Sequence, residues 1–325
     1  MNHTITTSYR VGPHVFSIHN DAGIDITDVL PSLSPFVATL PADEAALFEL
    51  RLTDAAETPI AAKAPSAENR DTDICFDWED ARCIIRPLDA DAHLVAITPR
   101  NTERAWCMEC SDGFRRCTAF LPADTRTDKG CGTNRSACPG TGNFVLNNFL
   151  MMLYAFNAAR HHTLLMHASV IAHEGKGYLF LGKSGTGKST HTSLWLKHIP
   201  DCHLLNDDNP VVHVNEADGR VTVFGSPWSG KTPCYRNESV PVGAFVRLEQ
   251  APQNVMERES TVRAFAALLP SCSCLKQDKK IYGGVVETVT SLASLSPVYH
   301  LKCLPDREAA EVCRKTVTAG TGAVI

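Results

Sequence analysis

The stretch Gly177-Tyr-Leu-Phe-Leu-Gly182-Lys-Ser-Gly-Thr-Gly187-Lys188-Ser189-Thr190 decides the fold of this chain. Its first part is an apolar run typical of a buried strand, and residues 190–198 (THTSLWLKH) have the pattern of an amphipathic helix. The segment between them has the spacing G-x-x-x-x-G-K-S of a phosphate-binding loop. The order of strand, loop and helix therefore predicts a nucleotide-binding α/β core.

Each fixed position of this loop has a physical role. The glycines let the backbone curl around phosphate oxygens with its N–H groups pointing inward, beside the positive end of the following helix. Lys188 is expected to reach the β- and γ-phosphates of ATP, and the Ser189 hydroxyl to bind Mg²⁺. The predicted nucleotide-binding residues are Gly182, Lys183, Ser184, Gly185, Thr186, Gly187, Lys188, Ser189 and Thr190.

Two further segments carry candidate catalytic groups. The apolar run 202–206 (CHLLN) ends in Asp207 and Asp208, and His167 lies in the middle of the apolar run 164–172 (LLMHASVIA). Magnesium-dependent phosphoryl transfer needs one carboxylate near the metal and one that accepts the proton of the attacking hydroxyl. An aspartate pair so soon after a phosphate loop fits that requirement, although alone it is also typical of a strand-end turn.

Together these segments resemble a known nucleotide core. Met166-His167-Ala-Ser-Val170, Gly182 to Thr190 and Leu205-Asn-Asp207-Asp208 are similar to the core of HPr kinase/phosphorylases and ATP-dependent phosphoenolpyruvate carboxykinases. The resemblance, over residues 143–250, implies a carboxykinase-like P-loop fold with His167 in the active site. It also implies that Asp207 deprotonates a serine hydroxyl and that Asp208 and Ser189 position Mg²⁺. The residues themselves leave the reverse assignment of the two aspartates open.

Two departures from these families narrow the expected chemistry. Residues 1–140 show no separate carboxylate-binding domain of the carboxykinase type, which counts against decarboxylation. Residues 239–325 show no match to the signature that supports phosphorolysis in HPr kinase/phosphorylases, which counts against that reverse reaction.

A second glycine-containing loop, Gly225-Ser-Pro-Trp-Ser-Gly230-Lys231-Thr232, follows the aspartates. It resembles the same region of kinases related to HPr kinase. Lys231 is a candidate for neutralising charge on the transferring phosphoryl group. Arg236 is a second candidate, with an ordinary surface arginine as its alternative.

Thirteen cysteines are many for a chain without an evident secretory segment. Cys107 and Cys110 have the spacing of half a zinc knuckle, and Cys131 with Cys138 supplies a wide second half. The alternative is a set of reduced, partly buried thiols. A disulfide framework is not expected in the cytoplasmic location that we predict.

Composition sets the remaining expectations. The chain of 325 residues has 44% hydrophobic residues and a net charge of −5, which is typical of a soluble globular protein and counts against nucleic acid as a partner. The apolar run 144–156 is too short to span a bilayer, so no membrane partner is expected. The resemblance to HPr kinases also points to homo-oligomers.

The predicted fold is α/β, with a β-rich accessory lobe at 1–104, a Cys/Gly-rich linker at 105–142 and an HPr kinase-like ATP-binding catalytic domain at 143–325. Within the last part, residues 143–161 and 257–269 predict helices, and a closing helix is predicted after Asp306. The predicted function is ATP- and Mg²⁺-dependent phosphorylation of a serine hydroxyl on a protein or peptide. The alternatives are a small-molecule kinase acting on a hydroxy-amino acid and a nucleotide-binding regulator without transfer activity.

Overall fold

The computed structural model describes residues 4–54, 70–100, 102, 104–121, 141–230 and 232–319. The chain divides into two compact units. The first unit comprises Met1–Arg10 and His14–Asn157, and the second comprises Val11–Pro13 and Ala158–Ile325. Both contain large β-sheets, and helices are concentrated in the second, so the mixed α/β class is confirmed. Among the helices of the described residues, none is both long and apolar enough to cross a bilayer.

The first unit is built on one sheet. Its described strands are β1 (Ile5–Val11), β2 (His14–Asn20), β3 (Val37–Ala38), β4 (Glu49–Asp54), β5 (Ile74–Asp77), β6 (Ala81–Pro87), β7 (His93–Pro99), β8 (Trp106–Ser111) and β9 (Arg116–Leu121). Their spatial order is β3-β1-β2-β4-β9-β8-β7-β6-β5, with β5 to β9 antiparallel and β4 parallel to both β2 and β9. The helices are α1 (Ile26–Val29) and α2 (Thr141–Ala158).

The predicted linker at 105–142 is wrong over its first part. Residues 106–111 and 116–121 form the paired strands β8 and β9, and most of their side chains are buried. Their cysteines, glycine and arginines suggested a loop by composition, but cross-strand pairing decides the structure. Residues 122–140 lie outside the described part of the chain. The start of the last domain, expected at residue 143, lies at Ala158 instead, because α2 belongs to the first unit as far as Asn157.

The sheet geometry argues against the zinc knuckle. Cys107 and Cys110 lie three residues apart on the regular strand β8, so their side chains point to opposite faces. Cys107 packs with Leu94, Ala96 and Phe120, and its pKa is raised to about 11 by burial. Cys131 and Cys138 lie outside the described residues. The described residues contain no group of three or more His, Cys, Asp or Glu side chains able to hold a metal.

The second unit is built on a second sheet. Its strands are β10 (Thr163–Leu165), β11 (Ala168–His173), β12 (Lys176–Leu181), β13 (Cys202–Asp208), β14 (Val211–Val214), β15 (Val221–Phe224), β16 (Ser239–Gln250), β17 (Val255–Arg258) and β18 (Val298–Cys303). Its helices are α3 (Lys188–His198), α4 (Thr261–Leu268), α5 (Lys279–Leu295) and α6 (Arg307–Ala319). The order β10-β14-β15-β16-β12-β11-β13 is extended by β18, which pairs with β16 and β17.

Three of these strands, β12, β16 and β18, run parallel and adjacent. Their carboxyl ends therefore lie at one edge of the sheet, where β12 passes into the glycine-rich loop. Trp195 of α3 packs on Phe180 of β12 in the buried core beneath this edge, with Val246 and Leu301 of the neighbouring strands. The core thus fixes the direction in which α3 leaves the loop.

Helix boundaries show where the sequence was informative. Asp306 accepts a hydrogen bond from the backbone N–H of Ala309, so the predicted start of the closing helix is confirmed. The helix predicted at 257–269 is shorter, because residues 255–258 pair with β18 as β17. Helix α5 was not predicted, although Asp278 caps it and apolar residues recur along one face. Two adjacent glycines in its first half weaken the helical pattern.

These two glycines supply a matched test of packing. A Cβ atom at Gly284 would come within 2.4 Å of the Ala159 carbonyl oxygen, whereas one at Gly283 would meet nothing within 4 Å. Gly284→Ala is expected to lower the free energy of unfolding by about 1–3 kcal/mol, through overpacking against backbone. Gly283→Ala is expected to raise it by about 0.5–1 kcal/mol, because alanine is the better helix former. Urea unfolding of both variants measures this, and equal effects would contradict the packing of α5.

Candidate active site

The loop after β12 has the backbone of a phosphate cradle. Gly185 and Gly187 have φ of +80° and +107°, which side-chain-bearing residues rarely adopt, and Gly187 is the N-cap of α3. The Thr186 N–H and hydroxyl both donate to the Lys183 carbonyl, at 3.1 and 2.7 Å. This closes the turn and leaves the first backbone N–H groups of α3 available to an anion.

Lys188 opens α3 and is almost fully buried. Its ammonium group donates to the Gly182 carbonyl at 3.0 Å and to His167 Nε2 at 2.8 Å. Burial lowers the pKa of Lys188, and the nearby Asp208 and Asp207 carboxylates oppose that shift. The cation is therefore held at the mouth of the loop by two acceptors, where phosphate oxygens would meet it.

His167 stands between β10 and β11 rather than inside one continuous strand. Its backbone N–H donates to the Ser271 carbonyl at 2.6 Å, and its Nδ1 lies 2.8 Å from Asp208 Oδ1. A lysine ammonium group can only donate, so Nε2 accepts and the proton of the neutral ring lies on Nδ1. Nδ1–H then donates to Asp208. Lys188, His167 and Asp208 form one directed hydrogen-bond chain, which we call the Lys-His-Asp chain.

Asp207 faces the other way and is 3% exposed. It lies opposite Ser169 in the ladder between β11 and β13, and Ser169 Oγ donates to Asp207 Oδ1 at 2.6 Å. The Ser189 hydroxyl of α3 donates to the same oxygen at 3.3 Å. The structure therefore joins Ser189 to Asp207, whereas the resemblance implied a pairing with Asp208.

Asp208 is the more accessible carboxylate, with its side chain 33% exposed. Its φ of +124° is unusual for a residue with a side chain, and its Oδ2 accepts from Asn209 Nδ2 at 2.8 Å. Strained backbone of this kind persists where surrounding contacts hold it, often at functional sites. Here the isolated bridge between Asp208 and Ser229 and the bond to His167 supply those contacts.

Two supporting residues were missed from the sequence. Ser169 holds Asp207, as above, and the fully buried Asn206 connects the aspartates to the second glycine-containing loop. Its side-chain Nδ2 donates to the Trp228 carbonyl at 3.2 Å, and its Oδ1 accepts from the Asn209 N–H at 2.9 Å. The available signal was a polar side chain within a predicted apolar strand, directly beside the motif.

The structure describes only one of the two basic residues, Lys231 and Arg236, that were candidates for binding the transferring phosphoryl group. Lys231 lies outside the described residues, so its role remains a prediction. Arg236 is exposed, and its guanidinium contacts Glu238 at 3.2 Å. This surface pair leaves Arg236 outside the group of side chains that are hydrogen-bonded around Lys188.

The oxygen atoms of Ser189 and Asp207 fit a Mg²⁺ site. Magnesium binds oxygen ligands octahedrally at about 2.0–2.1 Å, so two adjacent ligands lie about 2.9 Å apart. Ser189 Oγ and Asp207 Oδ1 are 3.3 Å apart, which is close to that separation. Magnesium sites of this type use one or two carboxylates together with substrate phosphates rather than a cage of protein ligands.

Two clefts flank the loop. The first, the Leu194 cleft, has a volume of about 500 Å³ and is lined by Thr186, Gly187, Thr190, His191, Leu194, Leu248, Gln250, Ala251, Pro252, Cys303, Leu304 and Pro305. The second, the His167 cleft, has a volume of about 750 Å³, and its lining includes Lys183, Arg247, Glu249, Ala266 and Pro270 besides His167. Both volumes are typical of small-molecule sites.

Comparisons with known proteins add little to this geometry. No protein-family model matches the chain, and no curated protein matches its sequence. Among solved structures, the Hpr(Ser) kinase/phosphatase from Coxiella burnetii is similar at a TM-score of 0.28 and 12% identity, over 48% of this chain and 89% of that chain. At this score the likeness carries no argument about fold or activity, and the carboxykinase-like core stays a prediction.

Proposed function

We propose that this protein is an ATP- and Mg²⁺-dependent kinase that phosphorylates a serine hydroxyl on a protein or peptide, with an HPr kinase-like core. The observation that carries the proposal is the Lys-His-Asp chain beside the Ser189 and Asp207 pair. A phosphate-binding cation, a metal-binding oxygen pair and an accessible carboxylate thus meet at one loop. These are the parts that phosphoryl transfer requires.

The loop provides phosphate binding. The backbone N–H groups around Gly185 and Gly187 and the amino end of α3 hold the triphosphate, and the Lys188 ammonium group neutralises its terminal oxygens. Bound Mg²⁺ supplies further charge neutralisation on the phosphates. Ser189 and Asp207 would hold it, with Ser169 fixing the orientation of the carboxylate.

The geometry favours the reverse of the aspartate roles that the resemblance implied. Asp207 is buried and its carboxylate already accepts from two serine hydroxyls, so it suits the metal. Asp208 is partly exposed and adjoins the His167 cleft through its bond to His167. We therefore assign Asp208 as the base that takes the serine proton while the serine oxygen bonds to the γ-phosphorus and ADP leaves.

His167 and Lys188 prepare that base. The Nδ1–H of His167 donates to the Asp208 carboxylate and fixes its orientation, and Lys188 fixes the tautomer that makes this donation possible. His167 therefore acts through Asp208, as a positioning residue. Lys231 is retained as a candidate cation for the transferring phosphoryl group.

The acceptor is assigned from the His167 cleft. A free hydroxy-amino acid would need a cation to bind its carboxylate. Arg247 lines the cleft, but its guanidinium contacts Glu259 at 3.2 Å and Glu249 at 3.7 Å. Lys183 also lines the cleft, but it belongs to the loop that is assigned to the phosphates. Arg236, the remaining candidate, pairs with Glu238 at the surface. A serine within a peptide has no free carboxylate to match, so this arrangement favours a protein or peptide acceptor.

Removing the loop cation tests nucleotide binding. Lys188→Ala is expected to weaken ATP binding by about 100-fold or more, because each charge-assisted hydrogen bond contributes about 1.5–3 kcal/mol. Lys197→Ala, an exposed lysine on the same helix, is the matched control and should bind ATP like wild type. Calorimetric titration measures both affinities. Unchanged ATP affinity in Lys188→Ala would overturn the loop assignment.

Separate substitutions of the aspartates test their roles. Asp208→Asn is expected to bind Mg²⁺-ATP normally but to transfer phosphate about 10²- to 10⁴-fold more slowly, because the base is lost. Asp207→Asn is expected to need at least about tenfold more Mg²⁺ for ATP binding. If Asp207→Asn keeps its Mg²⁺ dependence while losing transfer, and Asp208→Asn remains active, the assignment is reversed.

Label transfer tests the function as a whole. Purified protein and γ-labelled ATP are added to extract of the source organism, which is then separated into macromolecules and metabolites, with Asp208→Asn as the blank. We expect wild-type-dependent label on serine in the macromolecules. Label in the metabolites would instead establish a small-molecule kinase. Nucleotide binding with label in neither fraction would count against the kinase and favour the regulator.

A further inference from the structure

We infer that the Leu194 cleft binds the base of the nucleotide whose phosphates lie on the loop. This inference rests on the proposed function and extends it by naming a second binding region. It also gives the two substrates different clefts, since the acceptor is assigned to the His167 cleft, which adjoins the Leu194 cleft at Thr186, Leu248 and Gln250.

The position of the Leu194 cleft suits a nucleotide bound at the loop. Thr186 and Gly187 of the loop form one wall, so the cleft is continuous with the phosphate cradle. The other walls come from α3 and from the residues that follow the parallel strands β16 and β18. In open α/β sheets, ligands bind outside the carboxyl ends of parallel strands, and this cleft lies at that edge.

The chemistry of the lining suits a flat heterocycle. Leu194, Leu248, Ala251, Pro252 and Leu304 present apolar groups, and a planar base gains most from such contact on its two faces. The ring of His191 is buried behind these groups. Its Nε2 accepts from Trp195 Nε1 at 3.2 Å, which ties this wall to the core.

Hydrogen bonds hold the walls in place before any ligand arrives. The Ala251 N–H donates to the Cys303 carbonyl at 3.1 Å, and the Leu304 N–H donates to Asn254 Oδ1 at 2.9 Å. Asn254 Nδ2 also donates to Asp306 and Glu308, at 3.1 and 2.9 Å. On the loop side, Gln250 Nε2 donates to the Gly185 carbonyl at 3.3 Å. A preformed cleft binds without the cost of ordering its walls.

The His167 cleft is a poorer site for the base. Its lining includes Lys183 and Glu249, whose charged groups would lose water if a base covered them. The Arg247 guanidinium, which could otherwise stack on a base, is already held by Glu249 and Glu259. It also includes His167, whose bond to Asp208 marks the side on which the acceptor hydroxyl must approach. A base in that cleft would block the acceptor.

A pair of matched substitutions tests the inference. Ala251→Trp fills the Leu194 cleft, and Ala266→Trp places the same side chain in the His167 cleft. Binding of ATP and of tripolyphosphate, which has no base, is measured for each variant. We expect Ala251→Trp to weaken ATP binding by about tenfold or more while tripolyphosphate binds within twofold of wild type, and Ala266→Trp to leave ATP binding within twofold. ATP binding unchanged in Ala251→Trp, or weakened by Ala266→Trp alone, would overturn the inference.

A second measurement uses the unaltered protein, so it does not depend on how a variant folds. Wild type is photolabelled with 8-azido-ATP and the adduct is located by peptide mass spectrometry. Label within residues 251–252 or 303–305, which line the Leu194 cleft but not the His167 cleft, supports the inference, and label within residues 266–271 overturns it. Failure of the proposed function looks different. Wild type would then either bind neither ATP nor tripolyphosphate, or bind ATP without transferring its phosphate, and in the second case the position of the base is still decided by these two measurements.

Discussion

The ammonium group of Lys188 is the contact on which the rest of the site depends. It is buried at the start of α3 and donates both to the loop, at the Gly182 carbonyl, and to His167. Because an ammonium group only donates, it decides which nitrogen of His167 carries the proton. That proton in turn points at Asp208. In the proposed kinase, one cation therefore joins phosphate binding to the orientation of the carboxylate beside it.

The sheet explains why these groups meet. Strand β12 delivers the loop, while β11 and β13 deliver Ser169, Asp207 and Asp208 in register on its antiparallel side. On its parallel side, β16 and β18 end next to the loop and carry the walls of the Leu194 cleft. The proposed acid–base groups thus come from the antiparallel side of β12, and the apolar walls of the Leu194 cleft from its parallel side. The two clefts meet at Thr186, Leu248 and Gln250, so in the proposed kinase the nucleotide base and the acceptor would approach the same loop from adjoining clefts.

The sequence was most informative where spacing alone determines chemistry. The glycine loop, the two aspartates and the capping Asp306 were all recognisable, because each depends on residues close together in the chain. Contacts set by register were not recognisable. The Asp207 side chain reaches Ser189 because the ladder between β11 and β13 places Asp207 opposite Ser169. That register follows from an irregularity in the ladder between Val170 and Ile171. A slip of one residue there would exchange the faces of the two aspartates. Strands β8 and β9 were not predicted, because their composition is typical of a loop. They form through pairing with neighbouring strands rather than through local preference.

The state of the His167 ring tests the central claim most directly, since every proposed role of the Lys-His-Asp chain depends on it. Nitrogen-15 NMR of protein labelled at histidine reports which ring nitrogen carries a proton, and the His167→Gln variant assigns the signals. In the neutral ring we expect a protonated Nδ1 and an unprotonated, hydrogen-bonded Nε2, with the Nδ1 signal shifting in Asp208→Asn. A ring protonated on Nε2 would contradict the chain, because Lys188 could not then donate to it.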